Sequence, residues 1–116
     1  MTGGFVSRND ELLSDVADCL LRIERELRSL GEWRSEEPHP SALQSTQPFC
    51  IDTLEFTEWV QFVFISRMTV LVEQGQALPR VSGMAPMAEE HFRGRDQSGH
   101  GLIRVLQEMD QLLSDG

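Results

Sequence analysis

The stretch Trp59-Val60-Gln61-Phe62-Val63-Phe64-Ile65 decides how the chain folds. Its β-branched and aromatic side chains favour a strand on local propensity. Its surroundings argue for a helix. The apolar pattern runs on through Met68, Leu71 and Val72, and Glu55, Glu58, Arg67 and Glu73 interrupt it without alternating. A half-buried strand requires alternation with a period of two. A lone strand would also find no partner strand elsewhere in the chain. The reading is one helix that starts at Asp52 or Thr53, ends near Gly75 and forms the central, most buried element.

Upstream, Leu12, Leu13, Val16, Leu20, Ile23, Leu27 and Leu30 recur at steps of three and four from Val16 onward. That spacing is an amphipathic helical stripe. Ser7 or Asn9 can cap its start, with Asp10 and Glu11 near the positive end of the dipole. Asp18–Arg22 and Glu24–Arg28 are spaced as i,i+4 ion pairs, and Gly31 fits the position after the last turn. Between the two helices, residues 31–53 carry Pro38, Pro40 and Pro48, which oppose regular structure. This long irregular loop also carries Trp33 and Phe49, which we expect to pin it to the bundle. Downstream, a shorter helix follows Ser82 or Gly83, with Pro86 in its first turn. A last helix, capped by Ser98, carries Leu102, Val105, Leu106, Met109, Leu112 and Leu113. The expected architecture is all-α, a four-helix bundle. It forms one domain over residues 1–116, with 1–7 a flexible tail.

Composition bounds the partners. Of 116 residues, 40% are hydrophobic and 25% charged, the proportions of a globular domain. Nineteen acidic residues oppose ten basic ones, a formal charge of −9, and every basic residue is Arg. Nucleic-acid binding rests on phosphates neutralised by a basic surface, so direct nucleic-acid binding is not expected. No apolar run approaches the roughly 20 residues of a membrane span, and the start has no signal-peptide pattern. The expectation is a cytoplasmic protein, off the membrane, with Cys19 and Cys50 as reduced, packed thiols.

Catalytic patterns are missing from the sequence. His39, His91 and His100 form no HExxH or Cys/His cluster. There is no GxSxG and no phosphate loop. The reading is therefore no catalytic residue, no metal and no cofactor, with His91 partly exposed on its helix. Trp59, Phe62, Phe64 and Met68 are expected in the core. Arg67, beside Ile65 and Met68, is expected half-buried and in need of a carboxylate from Asp52, Glu55 or Glu58.

Taken together, several blocks resemble the YqcC-like family of small bacterial proteins. They are Trp33-Arg34, Ser45-Thr46-Gln47-Pro48-Phe49 with Asp52-Thr53, Glu58 through Met68, and Leu78-Pro79. The likeness spans roughly Leu12 to Leu113, and the family usually has Pro where this chain has Ser66. The resemblance implies a helical bundle and a cytoplasmic protein. It implies no known reaction. Members often carry a label tied to tRNA pseudouridine synthase C because their genes lie beside that enzyme's gene. A synthase needs a larger α/β catalytic domain, so any isomerase label would be inherited by association.

Two functional readings follow. The first is a non-catalytic protein-interaction or accessory module, linked to tRNA pseudouridine synthesis by the resemblance only, whose partner is another protein such as an RNA-modification enzyme. The second is a binder of a small anionic ligand between loop 31–53 and the second helix. Trp33, Arg34, Glu36, Glu37, Gln47, Phe49 and Arg67 are the candidate interaction or ligand surface. A homodimer contact through Met84, Met87 and Phe92 is a separate open alternative.

Overall fold

The deciding stretch is helical, with a departure from α geometry inside it. The computed structural model describes residues 8–115, and among these the chain forms four helices and no strand. They are α1 (Arg8–Ser29), α2 (56–73), α3 (Met84–Phe92) and α4 (His100–Asp115). The expected tail 1–7, and with it a Ser7 cap, lies outside the described residues, as does the side chain of Asn9.

Within α2, Phe56–Trp59 and Ser66–Glu73 are α-helical and Val60–Ile65 form a π-helical turn. β-branched and aromatic neighbours crowd at i,i+3 and i,i+4 on an α-helix, and a π turn, bonding i to i+5, is wider. Ser66 Oγ donates to the Gln61 carbonyl at 3.5 Å, spanning the end of that turn. Burial on α2 falls on Phe56, Thr57, Val60, Gln61, Phe64 and Met68, while Phe62, Val63 and Ile65 keep partial exposure. The helix is therefore one-sided rather than apolar all round, though among the described residues it has more buried positions than any other helix.

The four helices close a ring of contacts, α1 on α4, α4 on α3, α3 on the start of α2, and the end of α2 on α1. Arg22 pairs with Glu108 and Gly101 lies against Glu26, so α1 and α4 run antiparallel. Their stripes meet in one core: Val16, Leu20, Ile23 and Leu27 from α1, Leu102, Leu106, Met109 and Leu113 from α4. Val60, Phe64 and Met68 of α2 and Met84, Ala88 and Phe92 of α3 complete it. The Glu24–Arg28 pair forms at 2.9 Å. Arg22 instead lays its guanidinium fork across Glu108 of α4, because two parallel bonds to one carboxylate outweigh a single bond to Asp18.

Helix ends follow their sequence signals, with two exceptions. Gly31 and Gly75 adopt left-handed φ of 72° and 62° after α1 and α2. In each case the next residue donates back five positions, Glu32 to the Leu27 carbonyl and Gln76 to the Leu71 carbonyl, both at 2.9 Å. We expect Gly75→Ala to lower stability by about 1 kcal/mol through the left-handed backbone alone, read as a reduced urea midpoint, because open space surrounds a Cβ there.

The first exception is the start of α2, which lies at Phe56 and not at Asp52 or Thr53. Asp52 accepts from Ser45 Oγ, and Thr53 Oγ1 donates to the Ala42 carbonyl at 2.7 Å. Both side chains are thus occupied within the loop, and Glu55 with Glu58 forms the capping box instead. The second is the start of α3. Its cap residue, Gly83, offers no side chain, and Asp110 of α4 supplies the missing acceptors. Its carboxylate takes the Met84 N–H at 3.1 Å and the Ala85 N–H at 2.9 Å.

Candidate functional site

The connection from α1 to α2 holds most of the candidate residues, and its geometry is built from its root. α1 ends in the left-handed turn at Gly31, which aims Glu32 toward the start of α2. Thr57 Oγ1 donates to Glu32 Oε1 at 3.2 Å. Trp33 is half-buried against the core, with the Arg28 guanidinium 4.8 Å above its ring.

Arg34 is held by its backbone. Its N–H donates to Gln61 Oε1 at 2.9 Å, and its carbonyl accepts from Gln61 Nε2 at 2.8 Å. One buried amide side chain thus satisfies both polar groups of a loop residue, as a neighbouring strand would. The Arg34 guanidinium reaches Glu55 Oε2 at 3.5 Å. Glu55 N–H in turn donates to Glu58 Oε1 at 2.9 Å, so the loop root and the helix cap form one hydrogen-bonded unit.

Just beyond this clamp lies a shallow cleft of about 350 Å³ lined by Arg34, Ser35, Glu36, Glu37, Pro38 and Glu58. Glu36 and Glu37 are exposed, and among the described residues neither has a cation in ion-pair reach. Arg34, the cleft's one cation, is paired with Glu55. The cleft therefore presents uncompensated negative charge just beyond the Arg34 backbone that Gln61 holds.

Four of the seven candidates, Trp33, Arg34, Glu36 and Glu37, are consecutive or nearly so on this segment. Phe49 sits elsewhere, in a left-handed conformation with φ 57°. Its ring lies 4.8 Å from Trp59, edge-on, and 6.1 Å from Phe56. Ring contact compensates a backbone that a bulky residue rarely adopts. Gln47 is exposed before the turn Pro48–Cys50. Arg67, expected half-buried, is exposed, and no described carboxylate pairs with it. The two carboxylates proposed for it on α2's start, Glu55 and Glu58, serve Arg34 and the cap.

His91 is partly exposed as a residue, as expected, but its side chain is only 7% exposed, and Nε2 is buried without a hydrogen bond, 3.7 Å from Glu32 Oε1. Burial, then the nearby Arg95 guanidinium, holds its pKa below the ordinary value, outweighing Glu55 and Glu32. Cys19 and Cys50 are buried free thiols. Burial pushes the Cys19 thiol up, away from the nucleophilic thiolate. An open cleft of about 490 Å³ between α1 and α4 has Cys19 at its lining, with the exposed Arg22–Glu108 pair. That pairing raises the Arg22 pKa and lowers that of Glu108. Among the described residues, no group of three or more His, Cys, Asp or Glu is placed to hold a metal ion, and no helix is long and apolar enough to cross a membrane.

Sequence reasoning reached the Glu36–Glu37 pair through its charge and the loop through its prolines. It missed Gln61 as the residue that holds the Arg34 backbone. A lone polar residue between Val60 and Phe62, where the apolar run allows none, was the available signal.

Comparison with known proteins gives consistent matches. A family model, DUF446, described as tRNA pseudouridine synthase C, matches residues 15–112. The chain is 36% identical over 96 residues to the uncharacterized protein YqcC of Escherichia coli K12, covering 83% of this chain and 88% of that one. It is 39% identical over 74 residues to an uncharacterized protein of Haemophilus influenzae, covering 64% of this chain and 70% of the other. A tRNA pseudouridine synthase C of Pectobacterium carotovorum matches at 36% identity over 84 residues, 72% of this chain but 22% of that protein. The solution NMR structure of YqcC from E. coli superposes with a TM-score of 0.73 at 36% identity, covering 90% of this chain and 89% of that one.

Proposed function

The chain belongs to the YqcC-like family, and we propose that it is a non-catalytic accessory module that docks on tRNA pseudouridine synthase C through the Glu36–Glu37 face. The observation that carries the docking face is the Gln61 clamp. It fixes the Arg34 backbone, two and three residues before two exposed carboxylates that have no cation of their own. Fixed charge on an ordered segment costs little entropy on binding, and charge complementarity speeds and orients encounter with a basic surface. The choice of partner rests on the Pectobacterium protein. Its match to this chain takes up 22% of its length and it bears the synthase name, so a YqcC-like segment accompanies a much longer remainder on one polypeptide. The uncharacterized relatives consist mostly of the matched segment alone, 88% and 70% of their lengths. That pattern supports an attached or associated module and not the catalytic body.

The small-ligand reading has less support. Its cleft, near the roughly 300 Å³ floor for ligand sites, is lined by three carboxylates and one guanidinium that is already paired. Such a lining repels an anion.

The test is capture of purified synthase by the immobilised full chain. Wild type should retain it, and Glu36→Lys/Glu37→Lys should retain at least about tenfold less, since like charges across an interface cost several kcal/mol. Both positions are exposed, so the variant should fold, checked by its far-UV spectrum. Equal retention by both proteins would remove this face from the interaction.

A further inference from the structure

His91 Nε2 is the one buried side-chain nitrogen or oxygen among the described residues left without a hydrogen bond, and its position gives that a consequence. It lies in the last turn of α3, where α3 meets both the loop root and the start of α2. The Phe92 ring stands edge-on at 4.8 Å, and the Phe56 ring lies at 6.4 Å. The charged groups around it come from three segments. Glu32 follows α1, Glu55 precedes α2, and Arg95 follows α3. Glu32 Oε1, at 3.7 Å, is beyond hydrogen-bond range and already accepts from Thr57. Arg95 Nε donates to the His91 carbonyl at 2.6 Å, which sets a positive charge beside the ring.

We propose that the His91 junction is a proton-operated latch, closed while the imidazole is neutral, that releases the loop root from the end of α3 when His91 takes up a proton. An unpartnered imidazole wedged between two aromatic rings is tolerated as a neutral, largely apolar body. As a cation it must be hydrated or paired; burial keeps water from it, and Glu32 at 3.7 Å, already accepting from Thr57, offers an ion pair too weak to offset burial and the Arg95 charge. The protonated form therefore favours an opened junction in which Nε2 reaches water. The sign follows from linkage. His91 in the fold binds its proton less readily than the ordinary value of 6.5. The closed state is then fully favoured above about pH 7 and loses ground as pH falls through 6.5 and below. The latch's effect on docking rests on the function proposed above; the latch itself does not.

The test is amide hydrogen exchange on the full chain alone, at pH 7.5 and 5.8, corrected for intrinsic exchange rates. Protection at Glu32, Arg34 and the Phe92–Arg93 turn should fall several-fold at the lower pH, while the Ile23 and Leu106 amides keep theirs. His91→Phe, and His91→Gln should the first prove poorly folded, should abolish that pH difference. Protection that is independent of pH in wild type, or a pH loss that persists in both variants, would overturn the latch. A latch confirmed in the free chain together with no pH effect on synthase capture would leave the latch standing and count against the docking face.

Discussion

Gln61→Leu should lower stability by about 2–4 kcal/mol and abolish synthase capture, although Gln61 does not line the docking cleft. The amide of Gln61 is the partner of both the Arg34 N–H and the Arg34 carbonyl, at 2.9 and 2.8 Å. Leucine matches the apolar setting of Val60 and Phe64 and adds no polar group, so the loss comes from two part-buried backbone groups left unpaired. Each such orphan costs about 1–3 kcal/mol. Release of Arg34 also frees Ser35–Pro38, which carry the two carboxylates. Denaturant unfolding reads the first effect and capture of the synthase the second. Full stability in the variant would mean that water replaces the clamp without cost. Retained capture would mean that the loop's order does not matter for docking.

Asp110→Ala should be of similar size, a loss of about 2–3 kcal/mol, without touching the loop. Its carboxylate accepts from Met84 and Ala85, the first donors of α3, and Gly83 offers no side chain to replace it. A charged acceptor at a helix N-terminus combines a capping bond with the favourable end of the helix dipole. Asp110→Asn should lose roughly half as much, because one acceptor oxygen remains while the charge is gone. The measurement is the urea midpoint of the three proteins, with synthase capture unchanged in the folded variants. An Ala variant as stable as wild type would show that α3 is held by Met84, Ala88 and Phe92 in the core alone.

The helices were legible because their apolar spacing is local. Val16 to Leu30 and Leu102 to Leu113 state their buried faces at steps of three and four, and Gly31 and Gly75 state their ends. What the sequence hid was side chains whose partners lie far along the chain. Asp110 reads as one more surface carboxylate on α4, yet it caps a helix that begins 26 residues earlier. Arg22 reads as a partner for Asp18 and is drawn instead to Glu108, 86 positions away. The start of α2 was misplaced for the same reason. Asp52 and Thr53 look like caps until Ser45 and Ala42 engage them. His91, on a short helix next to two glutamates, gave no local sign that two aromatic rings and Glu32 would enclose it. Of the candidate site, the exposed charge was readable and the hold of Gln61 on Arg34 was not.

The measurement that bears most directly on the account is a calorimetric titration of the full chain with purified tRNA pseudouridine synthase C. It is run at about 50 mM and about 300 mM salt, where screening of exposed charges differs strongly. The account predicts a saturable complex of one chain per synthase that weakens as salt rises, because exposed carboxylates carry the contact. Titrations without heat or saturation at either salt concentration, with both proteins folded, would contradict it.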